Sequence, residues 1–336
     1  MLHQSLAGDD YDPLRQTAAT YNKNVARCPV LANSGHPEKG LKQTGFPVYA
    51  LQTMTGWPTI PFLHKPAPVV GVIRLDGVIG RIGPFNKGLT LASLADTIER
   101  TFRLKRLKAV ALSINSPGGA PVQSSLITGR IRDLAEENEV PVYAFAEDVA
   151  ASGGYWLALA ADEIFADEKS IIGSIGVVSR GFGFTELIKR WGIERRLHTA
   201  GDHKAMLDPF TPEKEADVRH LKSLQEDIHK HFEAMVREHR GEKLKADGKK
   251  LFSGAFWTGT QALEMGLIDG IGDLRSVMRV KFGDRVKLKL VAGKKPFWRR
   301  RIGLSATFGE GNEPGDWAVH ALASIEERLI WNRFGL

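Results

Sequence analysis

Ser152 is the residue whose surroundings best suit covalent chemistry. It stands in Val149-Ala150-Ala151-Ser152-Gly153-Gly154-Tyr155-Trp156, after the apolar run from Val142 to Phe145, where a strand is expected to turn into a helix. A hydroxyl at the first turn of a helix lies at the positive end of the helix dipole, and a glycine next in sequence leaves its N–H open to a developing oxyanion. The same octapeptide also suits a plain capped helix, because Ser is a favoured N-cap. A second glycine pair, in Asn115-Ser116-Pro117-Gly118-Gly119, adds weight to the chemical reading. Acyl transfer needs two backbone donors on one oxygen, and Gly153 with Gly118 or Gly119 would supply them. Neither turn has the glycine pattern of a phosphate or dinucleotide loop. A serine nucleophile also needs a base, and His198, His203 and Lys204 stand near the end of a later strand-like segment. Histidine has the fitting unperturbed pKa, so Ser152 and His203 with Asp202 or Asp208 form one candidate triad. Lysine serves only where burial or neighbouring positive charge leaves its amine neutral. The residues alone leave that choice open.

These turns need elements to hold them. The apolar spacing predicts strands over 69–75, 109–114, 141–145 and 163–166, alternating with helices that carry Leu91, Leu94, Ile98 and Phe102, then Val122, Ile127, Ile131 and Leu134. Strand, helix, strand order with crossovers of this length implies repeated βαβ units and a mostly parallel α/β sheet, with functional groups gathered at the carboxyl ends of its strands. Further on, the pattern predicts a glycine-broken β segment over 171–178, a helix over 185–191 and a strand over 194–199. A long helix from Pro212 to about Arg240 follows, with Thr211 as N-cap and Val218, Leu221, Leu224, Ile228, Phe232 and Met235 as one stripe. A short helix to Met265, a helix over 273–282 and a basic strand over 286–291 complete this part. The expected organisation is an irregular Gly- and Pro-punctuated arm over 1–68, a catalytic domain over 69–292, and a basic linker with an amphipathic tail over 293–336.

Composition bounds the partners. With 43% hydrophobic and 25% charged residues the chain reads as an ordinary globular protein, which excludes disorder throughout. The formal charge of +7 is local, because Arg279 to Arg301 holds ten Lys and Arg against Asp284 alone. That segment ends in Phe297-Trp298-Arg299-Arg300-Arg301, suited to an anionic surface. Cys28 is the only cysteine, so neither a disulfide framework nor a multi-cysteine metal site is expected. The sequence has no run of about eighteen apolar residues and no basic-apolar leader, so a cytoplasmic location is the default expectation. Peripheral membrane attachment through Phe297 to Arg301 and the helical segment Trp317 to Phe334 is a further one.

Four spaced motifs together are more specific than any one of them: Ile114-Asn115-Ser116-Pro117-Gly118-Gly119, Ala151-Ser152-Gly153-Gly154-Tyr155-Trp156, Gly173-Ser174-Ile175-Gly176-Val177, and Gly201-Asp202-His203-Lys204-Ala205-Met206-Leu207-Asp208-Pro209-Phe210. In this order the chain resembles the signal peptide peptidase A (protease IV) family of serine proteases, over roughly 69–291. The resemblance implies a Clp-protease and crotonase-like fold and a Ser/Lys dyad without metal or cofactor. Ser152 is then the nucleophile, Lys204 the general base and Ser174 a hydroxyl that orients the lysine. Gly153 with Gly118 or Gly119 forms the oxyanion hole. It further implies peptide substrates, hydrophobic ones such as signal-peptide remnants among them, and a homo-oligomer whose sites take serine and lysine from adjacent subunits. Many relatives carry a transmembrane anchor where this chain has its polar arm. Two other readings are a crotonase-type acyl-CoA enzyme, which needs no serine nucleophile, and a non-catalytic scaffold acting through the basic segment on membrane or nucleic acid. Nucleic acid is not an expected partner of the protease.

Overall fold

A computed structural model describes residues 66–80, 88–293, 324–325 and 327–335, all within the unit spanning 64–336. The expected arm over 1–68 and the Phe297 to Arg301 segment lie almost wholly outside the described residues. Strands β1 (Val69–Asp76), β2 (Leu107–Ser116) and β3 (Val142–Ala151) form the centre of the sheet. They run parallel, with β1 and β2 joined by helix α1 (Leu91–Phe102) and β2 and β3 by α2 (Pro121–Glu137). Each strand is apolar enough to be covered on both faces, as parallel strands must be. Leu94, Ile98 and Phe102 of α1 and Ile127, Ile131 and Leu134 of α2 are buried at the predicted spacing. Val122, expected on that stripe, is 67% exposed. It follows Pro121 in the first turn of α2. A capping box starts α1: Thr90 Oγ1 accepts from the Ser93 N–H at 3.2 Å and Ser93 Oγ from the Thr90 N–H at 3.1 Å.

The strand that carries Ser152 forks. Tyr143 to Ala146 of β3 pairs with β4 (Glu163–Ala166), whereas Val149 to Ala151 pairs with β5 (Ile171–Gly173). At the fork Asn115 holds both sides: its Nδ2 donates to Asp148 Oδ2 at 3.0 Å, and its Oδ1 accepts from the Val149 N–H at 3.2 Å. Helix α3 (Gly153–Ala158) leaves the end of β3 into the core. Tyr155 donates its buried hydroxyl to the Leu267 carbonyl at 2.7 Å, and Trp156 stacks on Phe232 with ring centroids 4.6 Å apart. These anchors fix the turn that carries the serine.

Helices α4 (Thr185–Arg190), α5 (Glu215–Arg240), α6 (Gly248–Leu251), α7 (Gly259–Glu264) and α8 (Leu274–Phe282), with strands β6 (Phe256–Thr258), β7 (Gly270–Ile271) and β8 (Lys287–Leu290), complete the order. The sheet runs β6-β5-β3-β2-β1-β8, with β4 paired to β3 and β7 to β4, and among the described residues only β5 and β6 pair antiparallel. Met278 of α8 packs against Val70, Ala109, Tyr143 and Phe165, while α1, α2, α3 and the C-terminal part of α5 share the larger core.

Three expectations are corrected. No strand forms over 194–199, where every residue is exposed and has no strand to pair with. The segment 171–178 is a strand only to Gly173, because Ser174 turns the backbone into the left-handed region at φ 53°. The long helix starts at Glu215 rather than Pro212, since the Thr211 hydroxyl donates to the Asp208 carbonyl at 3.2 Å instead of capping it.

Candidate active site

Two serines stand side by side because two strands end in register. Ala151 of β3 pairs with Gly173 of β5, and the next residues are Ser152 and Ser174. The Ser152 N–H donates to the Gly173 carbonyl at 2.7 Å, and the Ser174 N–H to the Ala255 carbonyl at 2.7 Å. Both serines have φ 53°, a region that costs a non-glycine residue about 1–3 kcal/mol. The fold sustains that cost through the anchors of α3 on one side and the β5–β6 pairing on the other. Ser174 is buried, and both serines line one cavity of about 330 Å³.

The glycine turns close on Ser152. Gly118 has φ 103°, and a Cβ there would lie 2.7 Å from Ser152 Cβ and 2.8 Å from the Gly153 nitrogen. No side chain fits. The Gly118 N–H is already given to Ser116 Oγ at 3.2 Å. Gly119 is held by its neighbours, the Ile79 N–H donating to the Gly118 carbonyl at 2.8 Å and the Ala120 N–H to the Ile79 carbonyl at 2.9 Å. Its own N–H has no backbone acceptor among the described residues. A Cβ on Gly153 would stand 3.3 Å from the Gly119 nitrogen, so the two amides lie close together. Gly153 opens α3, where a helix has unpaired N–H groups. A hydroxyl beside two open amides can attack a carbonyl and have the resulting charge held.

The third expected component is elsewhere. Lys204, His203 and Asp202 are exposed, and none of them lines the cavity beside Ser152. Asp208 turns to Arg195, 3.4 Å away, and to the Phe210 N–H at 3.2 Å, which leaves it committed elsewhere than to His203. No residue from 178 to 204 is buried, although Val178, Phe182, Trp191 and Ile193 are each more than half exposed. The structure therefore brings together Ser152, Ser174, Gly118, Gly119 and Gly153, with Lys204 apart from them in the single chain.

Sequence reasoning missed part of the cavity wall. His229 of α5, Phe252, Gly254 and Arg333 also line it. The one signal for His229 was its place between Ile228 and Phe232 on the inward side of α5; Arg333 was legible only as the neighbour of Phe334, the apolar end of the tail.

A family model described as Peptidase family S49 matches residues 135–286, the stretch that holds Ser152, Gly153, Ser174 and Lys204. The Synechocystis sp. protein slr0021 is 30% identical over 250 residues, 70% of this chain and 84% of its own length. The chain belongs to peptidase family S49. The chloroplastic serine protease SPPA of Arabidopsis thaliana is 32% identical over 223 residues, 63% of this chain and 32% of that protein. A Brucella abortus (strain 2308) protein named Na(+)/H(+) antiporter NhaA is 53% identical over 273 residues, 80% of this chain and 37% of its own length. This S49 chain thus spans about a third of those two relatives. Among its described residues no helix is long and apolar enough to cross a membrane.

Proposed function

We propose that this chain is a serine endopeptidase in which Ser152 attacks the peptide carbonyl and Lys204 is the general base. Ser174 orients the lysine amine, and the Gly153 and Gly119 amides hold the oxyanion. The observation that carries the reading is Ser152 in a left-handed backbone conformation beside two open glycine amides. Gly119 is favoured over Gly118 as second donor because the Gly118 N–H is spent on Ser116. Neutral Lys204 takes the Ser152 proton during attack and returns it to the leaving amine, and water then releases the acyl group by the same route. Lysine needs a site that leaves its amine neutral. Lys204 lies exposed at the end of a segment that also leaves Phe182, Trp191 and Ile193 bare, so the reading places its burial in an assembly, where a second copy brings this segment over Ser152. Membership in S49 favours Lys204 over His203 and peptide substrates over acyl-CoA thioesters; hydrophobic segments such as signal-peptide remnants are the substrate class it suggests.

Hydrolysis of a fluorogenic peptide by three variants tests this. Ser152→Ala and Lys204→Met should each lose at least about a thousandfold in kcat, while His203→Ala should change it little. An active Lys204→Met beside an inactive His203→Ala would instead establish the histidine triad. Undiminished turnover of a CoA thioester by Ser152→Ala would favour the crotonase-type reading.

A further inference from the structure

The wall of the Ser152 cavity carries an arginine. Arg333 reaches it from the C-terminal segment, and His229 reaches it from α5; among the described lining residues there is no Asp or Glu. Among the described residues Arg333 makes one hydrogen bond, from Nη2 to the Gly254 carbonyl at a long 3.4 Å, and its guanidinium lies 5.6 Å from the Phe334 ring centroid. Phe334, the next residue, is buried against Val149 and Ala151 at the end of β3. Arg333 is exposed at its outer side, and partial burial, then the positive charge of Arg180, disfavour its charged form; among the described residues no carboxylate pairs with it. The Nε2 of His229 is buried without a hydrogen-bond partner and stands 3.6 Å from Glu233 Oε1. A charged donor with spare N–H groups and no carboxylate partner is a recognition site for an anion.

We infer that Arg333 is a specificity-determining residue that binds a carboxylate of the peptide substrate next to the bond cut by Ser152. The inference rests on the peptidase reading above. It adds to a hydrophobic substrate one acidic contact, which either an Asp or Glu side chain or the free carboxyl end of the peptide can make. A partly desolvated guanidinium bonded to carboxylate, against the same position made neutral, corresponds to about a five- to fiftyfold preference.

Two sets of fluorogenic peptides measure this with the full chain. In one set, C-terminally amidated, Glu replaces Gln at each position on either side of the cleaved bond; in the other, the same neutral peptide carries a free carboxylate or an amide. A higher kcat/KM for Glu at one position assigns the contact to a side chain, and a higher value for the free acid assigns it to the chain end. Either preference should shrink severalfold in Arg333→Met and be partly kept in Arg333→Lys. Equal kcat/KM across both sets, or a preference that survives Arg333→Met, overturns the inference. Covalent labelling of the unaltered protein by a neutral fluorophosphonate is read alongside. If Ser152 is not labelled, the peptidase reading fails; labelling without any preference for acid defeats the specificity inference alone.

Discussion

At the residue scale the site depends on backbone that only small residues permit. Gly118 combines φ 103° with a gap of 2.7 Å to Ser152 Cβ, so Gly118→Ala must push away the serine or the Gly153 amide. Expected are a loss of about 1–3 kcal/mol in stability and at least about a hundredfold in kcat, the cost of misplacing one oxyanion donor. Thermal unfolding and peptide hydrolysis on the same sample check both. A variant with wild-type kcat would contradict the packed arrangement of the two turns. The tight turns at Ser152 and at the glycine pairs were legible in the sequence because close backbone approach and positive φ demand small residues. The choice between Gly118 and Gly119 was not, because it depends on the Ser116 hydroxyl, which captures one amide and leaves the other. His229 and Arg333 were hidden for a different reason: both come from segments remote in sequence that only packing brings to the cavity.

At the element scale, the C-terminal end of α5 is tied to the turn before β7 by a charge cluster that is buried at Arg240 and open to solvent at Lys243. Arg240, 3% exposed, donates from Nη1 to Asp269 Oδ2 at 2.7 Å, and Lys243 donates to Oδ1 at 2.9 Å. Burial alone would raise the Asp269 carboxyl, but hydrogen bonds from Arg240, Lys243 and the Ile164 N–H hold it below the ordinary carboxylate value. A carboxyl lowered in the folded state stabilises fully above its unfolded pKa, about 3.9, and that contribution is lost as pH falls through the lower, folded value. The unaltered protein should therefore lose stability as pH drops below about 4, and Asp269→Asn should flatten that part of the profile in denaturant titrations. Arg240→Met, which leaves the partly buried Asp269 with Lys243 and the Ile164 N–H alone, should cost about 1–3 kcal/mol near neutral pH. A profile of Asp269→Asn as steep as that of the unaltered protein would contradict the assignment. The strands and helices of the central sheet were readable because apolar spacing and two-sided burial coincide there. The expected strand over 194–199 failed because a pattern of residue types cannot supply a neighbour to pair with. The expected stripe of α5 failed in part for a related reason, since Phe232 is buried by Trp156 whereas Leu224, nearer its start, is 46% exposed.

At the scale of the whole molecule, the proposed assembly rests on the separation of Lys204 from Ser152 and on the exposed Phe182, Trp191 and Ile193 between them in sequence. A site completed by a second copy predicts complementation: Ser152→Ala and Lys204→Met, each inactive, should regain peptidase activity when unfolded together and reassembled. No recovery in a mixed oligomer of normal size would mean that serine and lysine must belong to one chain. Such sharing is invisible in one chain's residue pattern, because spacing along a sequence says nothing of which copy supplies a group.

The proposed function rests on Ser152 as the nucleophile, and acylation followed by peptide mapping tests that most directly. Treated with a fluorophosphonate, the protein should gain one phosphonyl group, found on the peptide containing Ser152 and absent in Ser152→Ala. Modification at any other residue, or equal labelling of Ser152→Ala, would contradict the account.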